Sequence, residues 1–257
     1  YDTNFPNFRI HEKDWAFLEE PLTVDYVHQW KGPQKNTGVL FESDDKSPYR
    51  RFSVPTPVLE AEETRIRLRE LTHDEGGYGG KVWIAAMCMA SWMGENPALF
   101  QGKSVIELGA GCGLPGILAA KLGASQVTLS DFGTSSEREQ HKRNRDTIFI
   151  PPLDLLENLE YNAALNKVEE IVDVANLDWM DCLKKEHQCR KYDVVLACAC
   201  IYNKSDHQAL AAAINKHLKQ DGKLYMLHQK TRKDRGLVEL LQELEKTHNI
   251  VEEYFIL

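Results

Sequence analysis

A glycine-rich turn at residues 105–116 carries the clearest chemistry in this sequence. It reads V-I-E-L-G-A-G-C-G-L-P-G, an apolar strand that runs into a turn and then a helix. Gly109, Gly111 and Gly113 lack β-carbons where a ligand would press on the backbone, and the helix start offers N–H groups with partial positive charge. The turn therefore predicts a nucleotide-type cofactor site in which the backbone itself is the binding surface.

Two cofactors fit this turn, and Glu107 favours one of them. Gly111-x-Gly113-x-x-Gly116 satisfies the dinucleotide pattern, and Asp131 lies about where that pattern places its ribose-binding acid. The Glu107 carboxylate would repel a pyrophosphate, whereas it suits a ligand with a cationic end. We therefore favour S-adenosylmethionine over NAD. A turn that only packs the strand against the helix is the third interpretation.

The composition fits one acidic α/β enzyme. The chain has 257 residues, 42% of them hydrophobic, which is enough for a single large domain with a sizeable core. A net charge of −8 argues against nucleic acid as the main partner. The six cysteines show no C-x-x-C pair and no metal-type spacing with histidine, so we expect reduced thiols and no metal.

The sequence also gives expectations about location and assembly. No apolar stretch approaches membrane-spanning length, and the first residues lack a signal-peptide core. We expect no membrane contact, a cytoplasmic location with the nucleus as a second one, and a monomer.

The chain divides into an N-terminal extension, residues 1–78, packed on a catalytic unit of residues 79–257. The extension is polar and rich in proline, with β-prone pieces at 24–28, 38–41 and 49–54. Beyond it, strands are predicted at 104–108, 126–130, 171–176, 193–199, 223–228 and 250–256, and helices at 81–93, 114–122, 153–165, 206–218 and 236–246. This alternation predicts a Rossmann-like, mostly parallel, doubly wound sheet with its ligand at the carboxyl ends of the strands.

Six short motifs stand in order between residues 80 and 202. They are G-K-V-W at 80–83, E-L-G-A-G-C-G at 107–113, V-T-L-S-D-F at 127–132, L-E-N-L-E-Y-N-A-A-L-N at 156–166, L-D-W at 177–179 and D-V-V-L-A-C-A-C-I-Y at 193–202. Together they resemble the seven-strand S-adenosylmethionine-dependent methyltransferases of methyltransferase family 16. That group includes protein-lysine methyltransferases and relatives labelled nicotinamide N-methyltransferase-like. The resemblance covers roughly residues 76–257.

The resemblance implies a role for each candidate in the cofactor site. Trp83 would pack along the methionine portion, Glu107 would hold the ammonium group, and Asp131 would accept from the ribose hydroxyls. Asp178 and Trp179 would hold and cover the adenine, and Phe132 and Cys198 complete the set. Trp83 could instead be a core tryptophan, Asp131 a helix cap, and Trp179 a strand-end aromatic residue.

A helix face formed by Asn158, Asn162 and Asn166 has a different interpretation. The three asparagines are spaced four residues apart, which places them in one row on a helix. We expect them to be structural or solvated and not catalytic.

The acceptor end of the site departs from the family pattern. Lysine-modifying members usually carry D-x-x-Y after the fourth sheet strand, whereas this chain has Ala199-Cys200-Ile201-Tyr202. Tyr202 and Asn203 could still orient an acceptor nitrogen, and Glu75 could replace the missing carboxylate. The expected function is N-methylation of a protein side chain, with lysine favoured and histidine as an alternative. A small-molecule N-methyltransferase and a non-catalytic, cofactor-binding interaction protein remain open.

Three further features are expectations only. The insert at 133–152 and the basic residues at 230–235 are solvated surface or borders of the substrate cleft. The family's sheet finishes with an antiparallel hairpin, yet this chain ends after the strand expected to be penultimate. We expect either a strand from the N-terminal extension or a longer chain.

Overall fold

The computed structural model describes residues 40–43, 49–56, 63–72, 76–132, 155–184, 186, 189–201, 207–228, 237–247 and 255–256. Its strands are β1 (Leu40–Ser43), β2 (Tyr49–Pro55), β3 (Glu63–Arg69), β4 (Ser104–Leu108), β5 (Gln126–Asp131), β6 (Val172–Asn176), β7 (Tyr192–Cys198), β8 (Leu218–His228) and β9 (Phe255–Ile256). Its α-helices are α1 (Ile84–Glu95), α2 (Leu114–Lys121), α3 (Leu155–Leu165), α4 (His207–His217) and α5 (Leu237–Glu245). Short 3-10 helices cover Gly77–Gly80, Pro97–Leu99 and Trp179–Leu183.

The larger sheet confirms the predicted fold class. Its strand order is β6-β5-β4-β7-β8-β9, and every described pair runs parallel. Along β4, Val105 belongs to one buried cluster while Ile106 and Leu108 belong to the other. Successive side chains therefore enter cores on opposite faces, as in a sheet covered by helices on both sides.

A second, smaller sheet is formed by strands that precede the larger sheet in the sequence, within the predicted extension. Its strands run antiparallel in the order β1-β2-β3. Phe52 and Ile66 are 1% exposed and share one buried cluster with Val105 and Leu129 of the parallel sheet. The small sheet and the parallel sheet thus share a core, although the proposed division at residue 78 stays a prediction.

Strand β3 was not predicted from the sequence. Its residues E-T-R-I-R-L-R alternate strictly, with Ile66 and Leu68 buried and Arg65 and Arg67 exposed. Three of the seven residues are arginines and only two positions are fully buried, so the alternating pattern did not indicate a strand in the sequence.

The asparagine row of α3 has a structural role, as expected. Asn162 Oδ1 accepts from the Arg69 N–H at 2.7 Å, and its Nδ2 donates to the Arg69 carbonyl at 3.2 Å. Asn166 makes the same pair with Arg67, at 3.0 and 2.6 Å. Asn158 Oδ1 accepts from Arg69 Nε at 2.7 Å. These amides dock β3 against the helix.

Most predicted elements agree with the structure, and two boundaries need correction. Helix α1 begins at Ile84 and not at residue 81, because Trp83 has an extended backbone (ψ 155°). Strand β8 begins at Leu218 and not at residue 223. Its pairing with β7 has a register shift between Tyr192 and Val194, and the polar residues at its start concealed this part of the strand in the sequence. The predicted strand at 24–28 lies outside the described residues. Among the described helices, none is long and apolar enough to cross a membrane.

Candidate active site

The glycine turn after β4 lies between two other segments of the chain. Gly109 and Gly111 have φ values of +64° and +56°, which L-residues rarely adopt. A β-carbon on Gly109 would lie 3.1 Å from Cys200 Sγ and 3.4 Å from Trp179 Cζ2, and one on Gly111 would lie 3.0 Å from the Gly79 carbonyl oxygen. Atoms of the chain itself therefore crowd the β-carbon positions of both glycines, and the predicted contact of their backbone with a cofactor stays a prediction.

Gly113 also needs its positive φ, +83°, at the N-cap of α2. A β-carbon there would lie 3.0 Å from Leu159 Cδ2. Gly116, one turn into α2, brings the helix backbone against β5, because a β-carbon would lie 2.2 Å from Leu129 Cδ2. The turn therefore fixes both the cofactor loop and the helix behind it.

Asp131 ends β5 beside this turn. Its Oδ2 accepts from the Gly111 N–H at 2.7 Å, and its Oδ1 accepts from the Phe132 N–H at 2.7 Å. Asp131 is partly exposed at the carboxyl end of β5, where the resemblance places the acceptor for the ribose hydroxyls. The helix-cap interpretation concerns residues after Phe132, which lie outside the described part of the chain.

Glu107 lies beneath the turn, 1% exposed. Its Oε2 accepts from the Gly116 N–H at 2.8 Å. Burial raises the pKa of this carboxyl to about 8; the Gly116 hydrogen bond opposes the shift and the nearby Asp131 charge adds to it. Because a buried carboxyl with this pKa gains from a neighbouring cation, the environment suits the predicted ammonium group, and the direct contact stays a prediction.

Trp83 stands at the start of α1. Its indole N–H donates to the Tyr78 carbonyl at 2.9 Å, and the two aromatic rings lie 6.3 Å apart. The ring is half-buried. The same segment reaches the glycine turn, since Cys112 Sγ donates to the Gly79 carbonyl at 3.7 Å. Trp83 is therefore held at the rim of the turn and is not a fully buried core residue.

Asp178 and Trp179 follow β6 and lie on the other side of the turn. Asp178 caps the 3-10 helix, because its Oδ1 accepts from the Met180 N–H at 2.9 Å. The Trp179 ring is half-buried, and its Cζ2 atom lies close to Gly109. This places an aromatic face at the carboxyl edge of the sheet, where an adenine is expected.

Strand β7 ends at Cys198, which is buried and whose thiol pKa burial raises well above its ordinary value. Ala199 follows with φ +54° and donates its N–H to the Leu227 carbonyl at 2.8 Å. Cys200 Sγ donates to the Leu108 carbonyl at 3.0 Å. This chain therefore has alanine at a left-handed position where the family pattern has an acid.

Several predicted residues lie outside the described part of the chain. They are Tyr202, Asn203, Glu75, the insert at 133–152 and the basic residues at 230–235. Their roles stay predictions.

Three supporting residues were given no role in the site by the sequence. Gly79 and Cys200 flank the turn, and Asn162 Nδ2 donates to the Cys112 carbonyl inside it at 3.1 Å. The regular spacing of the asparagines was the only signal of this kind in the sequence. The contacts of Gly79 and Cys200 depend on tertiary structure.

A parallel sheet with a glycine turn, two acids and two aromatic rings at its carboxyl edge defines a Rossmann-like, nucleotide-cofactor enzyme. Residues 60–246 match the lysine methyltransferase family, so the chain belongs to that family. Membership confirms the predicted family.

Individual relatives differ in the acceptor that their names give. The chain is 26% identical over 173 residues to the protein N-terminal and lysine N-methyltransferase efm7 of Aspergillus fumigatus, covering 63% of this chain and 59% of the relative. It is 29% identical over 200 residues to the mouse histone-arginine methyltransferase METTL23, covering 78% and 67%. The ribosomal protein L11 methylase of Lactobacillus delbrueckii has a TM-score of 0.40 and 21% identity, with 59% and 63% covered. The chain thus spans less than two thirds of the fungal relative.

Proposed function

We propose that this chain transfers the methyl group of S-adenosylmethionine to a nitrogen of a protein side chain, with lysine as the favoured acceptor. The hydrogen bond from the Gly111 N–H to Asp131 Oδ2, at 2.7 Å, carries the cofactor part of this proposal. It fixes an acid beside a glycine turn that the Trp179 ring flanks. The lysine preference rests on the family.

The residues of the chain have a limited chemical task. S-adenosylmethionine, when bound, supplies a methyl group that its sulfonium has already activated. With the cofactor bound, the acceptor nitrogen would bond to the methyl carbon through its lone pair as the carbon–sulfur bond broke toward sulfur, and the nitrogen would lose a proton. The protein must therefore align the amine, exclude water and receive that proton.

Removal of its proton is the difficult step for a lysine acceptor. An unperturbed lysine has a pKa of about 10.4, so a site must favour its neutral form by desolvation or a neighbouring acceptor. Ala199 supplies no carboxylate at the position where the family pattern has one. We therefore assign the acceptor contacts to Tyr202 and Asn203, with Glu75 as the replacing acid.

The test is transfer of a labelled methyl group into a cell lysate, with S-adenosylhomocysteine binding measured by calorimetry. The wild-type chain should bind the product and label a discrete protein band. Asp131→Asn should weaken binding by about tenfold or more, because one amide group cannot serve Gly111, Phe132 and both ribose hydroxyls. Unchanged binding by a folded Asp131→Asn chain would contradict the assigned cofactor site.

A non-catalytic, cofactor-binding protein is the second candidate, and Ala199 is the observation that favours it. Binding without any labelled product, protein or small molecule, would support it. Label only in the small-molecule fraction would instead support a small-molecule N-methyltransferase.

We also propose a cytoplasmic and nuclear location and a monomeric state. All six cysteines are free thiols, which is typical of reducing compartments. Microscopy of a fluorescent fusion and light scattering of the purified chain test these two points.

A further inference from the structure

Three soft metal ligands meet away from the cofactor site. Cys182 Sγ, Cys189 Sγ and a ring nitrogen of His217 all lie within 4.8 Å of one another. Cys182 and His217 are buried, and Cys189 is half-buried. The sequence predicted no metal because the two cysteines stand seven positions apart and the histidine is far along the chain. Only the fold brings them together.

Each ligand comes from a different element. Cys182 belongs to the 3-10 helix Trp179–Leu183, Cys189 precedes β7, and His217 is the last residue of α4. The carboxyl end of α4 leads directly into β8, whose first residue pairs with Tyr192 of β7. The cluster therefore lies where the end of α4, a short 3-10 helix and the segment before β7 converge.

One ring nitrogen of His217 has a backbone partner of the kind that metal-binding histidines usually have. His217 Nδ1 lies 3.0 Å from the Arg190 carbonyl oxygen. A carbonyl only accepts, so Nδ1 carries the proton and Nε2 of the neutral ring carries the lone pair. A backbone carbonyl that fixes the tautomer through the other ring nitrogen is the usual outer partner of a zinc-bound histidine.

We propose that Cys182, Cys189 and His217 bind one Zn²⁺ ion, with water as the fourth ligand on the half-exposed side of Cys189. Two thiolates and one neutral imidazole balance the charge of a divalent cation, and this donor set selects zinc over magnesium or calcium. In a tetrahedral site with bonds of about 2.0–2.3 Å, ligand atoms lie about 3.8 Å apart or less. Side-chain rotations that bring the three ligand atoms about 1 Å closer together would give this geometry.

The ion would reinforce the packing between the cofactor site and helix α4, which already share a buried cluster. Trp179, assigned to the adenine, lies in the same short helix as Cys182. Zinc would tie this helix to the end of α4. This consequence rests on the proposed function, whereas the metal site itself does not.

The test is titration of the reduced, metal-free full chain with Co²⁺ and then Zn²⁺. We expect one equivalent of Co²⁺ to give thiolate-to-metal charge-transfer bands and the intense visible absorption of a tetrahedral site, both removed by one equivalent of Zn²⁺. Cys189→Ser should lose the charge-transfer intensity of one thiolate and weaken binding by about tenfold or more. Cys88→Ala, which removes a buried thiol of the other core cluster, should bind like the wild type.

Several outcomes would overturn the site. They are no charge transfer in the wild-type chain, equal spectra for Cys189→Ser and the wild type, and loss of binding in Cys88→Ala. A Cys182–Cys189 disulfide in the chain purified without reductant, seen by peptide mass, would also overturn it. If Cys189→Ser fails to fold by circular dichroism, the wild-type stoichiometry and charge-transfer spectrum decide. None of these measurements depends on methyl transfer, so the proposed function can fail separately.

Discussion

Asn162 binds the backbone of Arg69 as a neighbouring β-strand would. Its amide accepts from the N–H at 2.7 Å and donates to the carbonyl at 3.2 Å, and Asn166 repeats the pair at Arg67. The spacing explains why the repeat works. Two residues along a strand rise about 6.6 Å and four residues along a helix rise about 6 Å, so the amides of one helix face can match alternate residues of one strand edge.

Removing this amide should cost stability. Asn162→Ala removes the side-chain partner of the Arg69 N–H and of the Cys112 carbonyl, whereas the Arg69 carbonyl still accepts from Asn158 Nδ2 at 3.2 Å. We expect the free energy of unfolding to fall by about 2–4 kcal/mol, since an unsatisfied buried polar group costs about 1–3 kcal/mol. Urea denaturation measures it. Glu160→Gln on the same helix changes an exposed side chain and should alter the free energy of unfolding by less than about 0.5 kcal/mol.

Cofactor binding should release a proton from Glu107. The ordinary pKa of 4.5 is raised to about 8 in the free protein, so the carboxyl is largely protonated at neutral pH. A cationic ligand favours the ionised form, and its binding must then lower that pKa. We expect affinity for S-adenosylmethionine to rise with pH up to about 8, with proton release visible by calorimetry in buffers of different ionisation enthalpy.

The matched variant for this effect is Glu107→Gln. Its side-chain oxygen can still accept from Gly116, yet it does not titrate. Any pH dependence that remains in Glu107→Gln belongs to the ligand's own amine. If the two proteins show the same pH dependence, Glu107 is not the linked group.

The raised pKa of Glu107 also affects the stability of the unliganded protein. Because the folded-state pKa is raised, the stability contribution is present below about pH 4.5 and is lost as pH rises through about 8. We expect the melting temperature of the wild type to fall relative to that of Glu107→Gln over this window. Parallel melting curves across the window would argue against burial as the cause.

Ala199 offers a gain-of-function test. Its φ of +54° is one that Asp and Asn adopt more readily than Ala. We expect Ala199→Asp to raise the rate of methyl transfer to a lysine acceptor by about tenfold or more, within the range of general-base effects. Ala199→Asn has the same shape without the charge and should not raise it. Equal rates for the two variants would show that the carboxylate has no catalytic part.

Asp193 should affect acid stability without touching the cofactor. It accepts from the Ser104 N–H and hydroxyl at 2.9 and 2.6 Å and from Lys219 at 2.8 Å, which together hold its pKa well below the ordinary 3.8. Its contribution is present above about pH 4 and is lost as pH falls further. Asp193→Asn should therefore be less stable than the wild type at pH 7, and the gap should narrow in acid. A gap that stays constant as the pH falls from about 4 toward 2 would contradict this.

Sequence patterns predicted the parallel sheet well because its strands are buried on both faces. β4 matched its predicted bounds, and α2 differed by one residue. β3 and the start of β8 were missed because their stability comes from pairing partners and amides elsewhere in the chain, which periodicity does not contain.

For the site, the residue types were predictable but their contacts were not. Asp131 and Glu107 follow from the strand ends, whereas their bonds to Gly111 and Gly116 depend on how the turn folds. The Cys182, Cys189 and His217 cluster lay beyond any spacing rule, because three separate elements supply it.

The asparagine row has a consequence for self-association. An exposed strand edge is a template on which another chain can add a strand and begin an aggregate. On β3 the outward groups of Arg67 and Arg69 are already bound by Asn166 and Asn162. The amide side chains of α3 therefore take up the backbone groups to which an added strand would bind. They keep the small sheet from recruiting a second molecule through this edge.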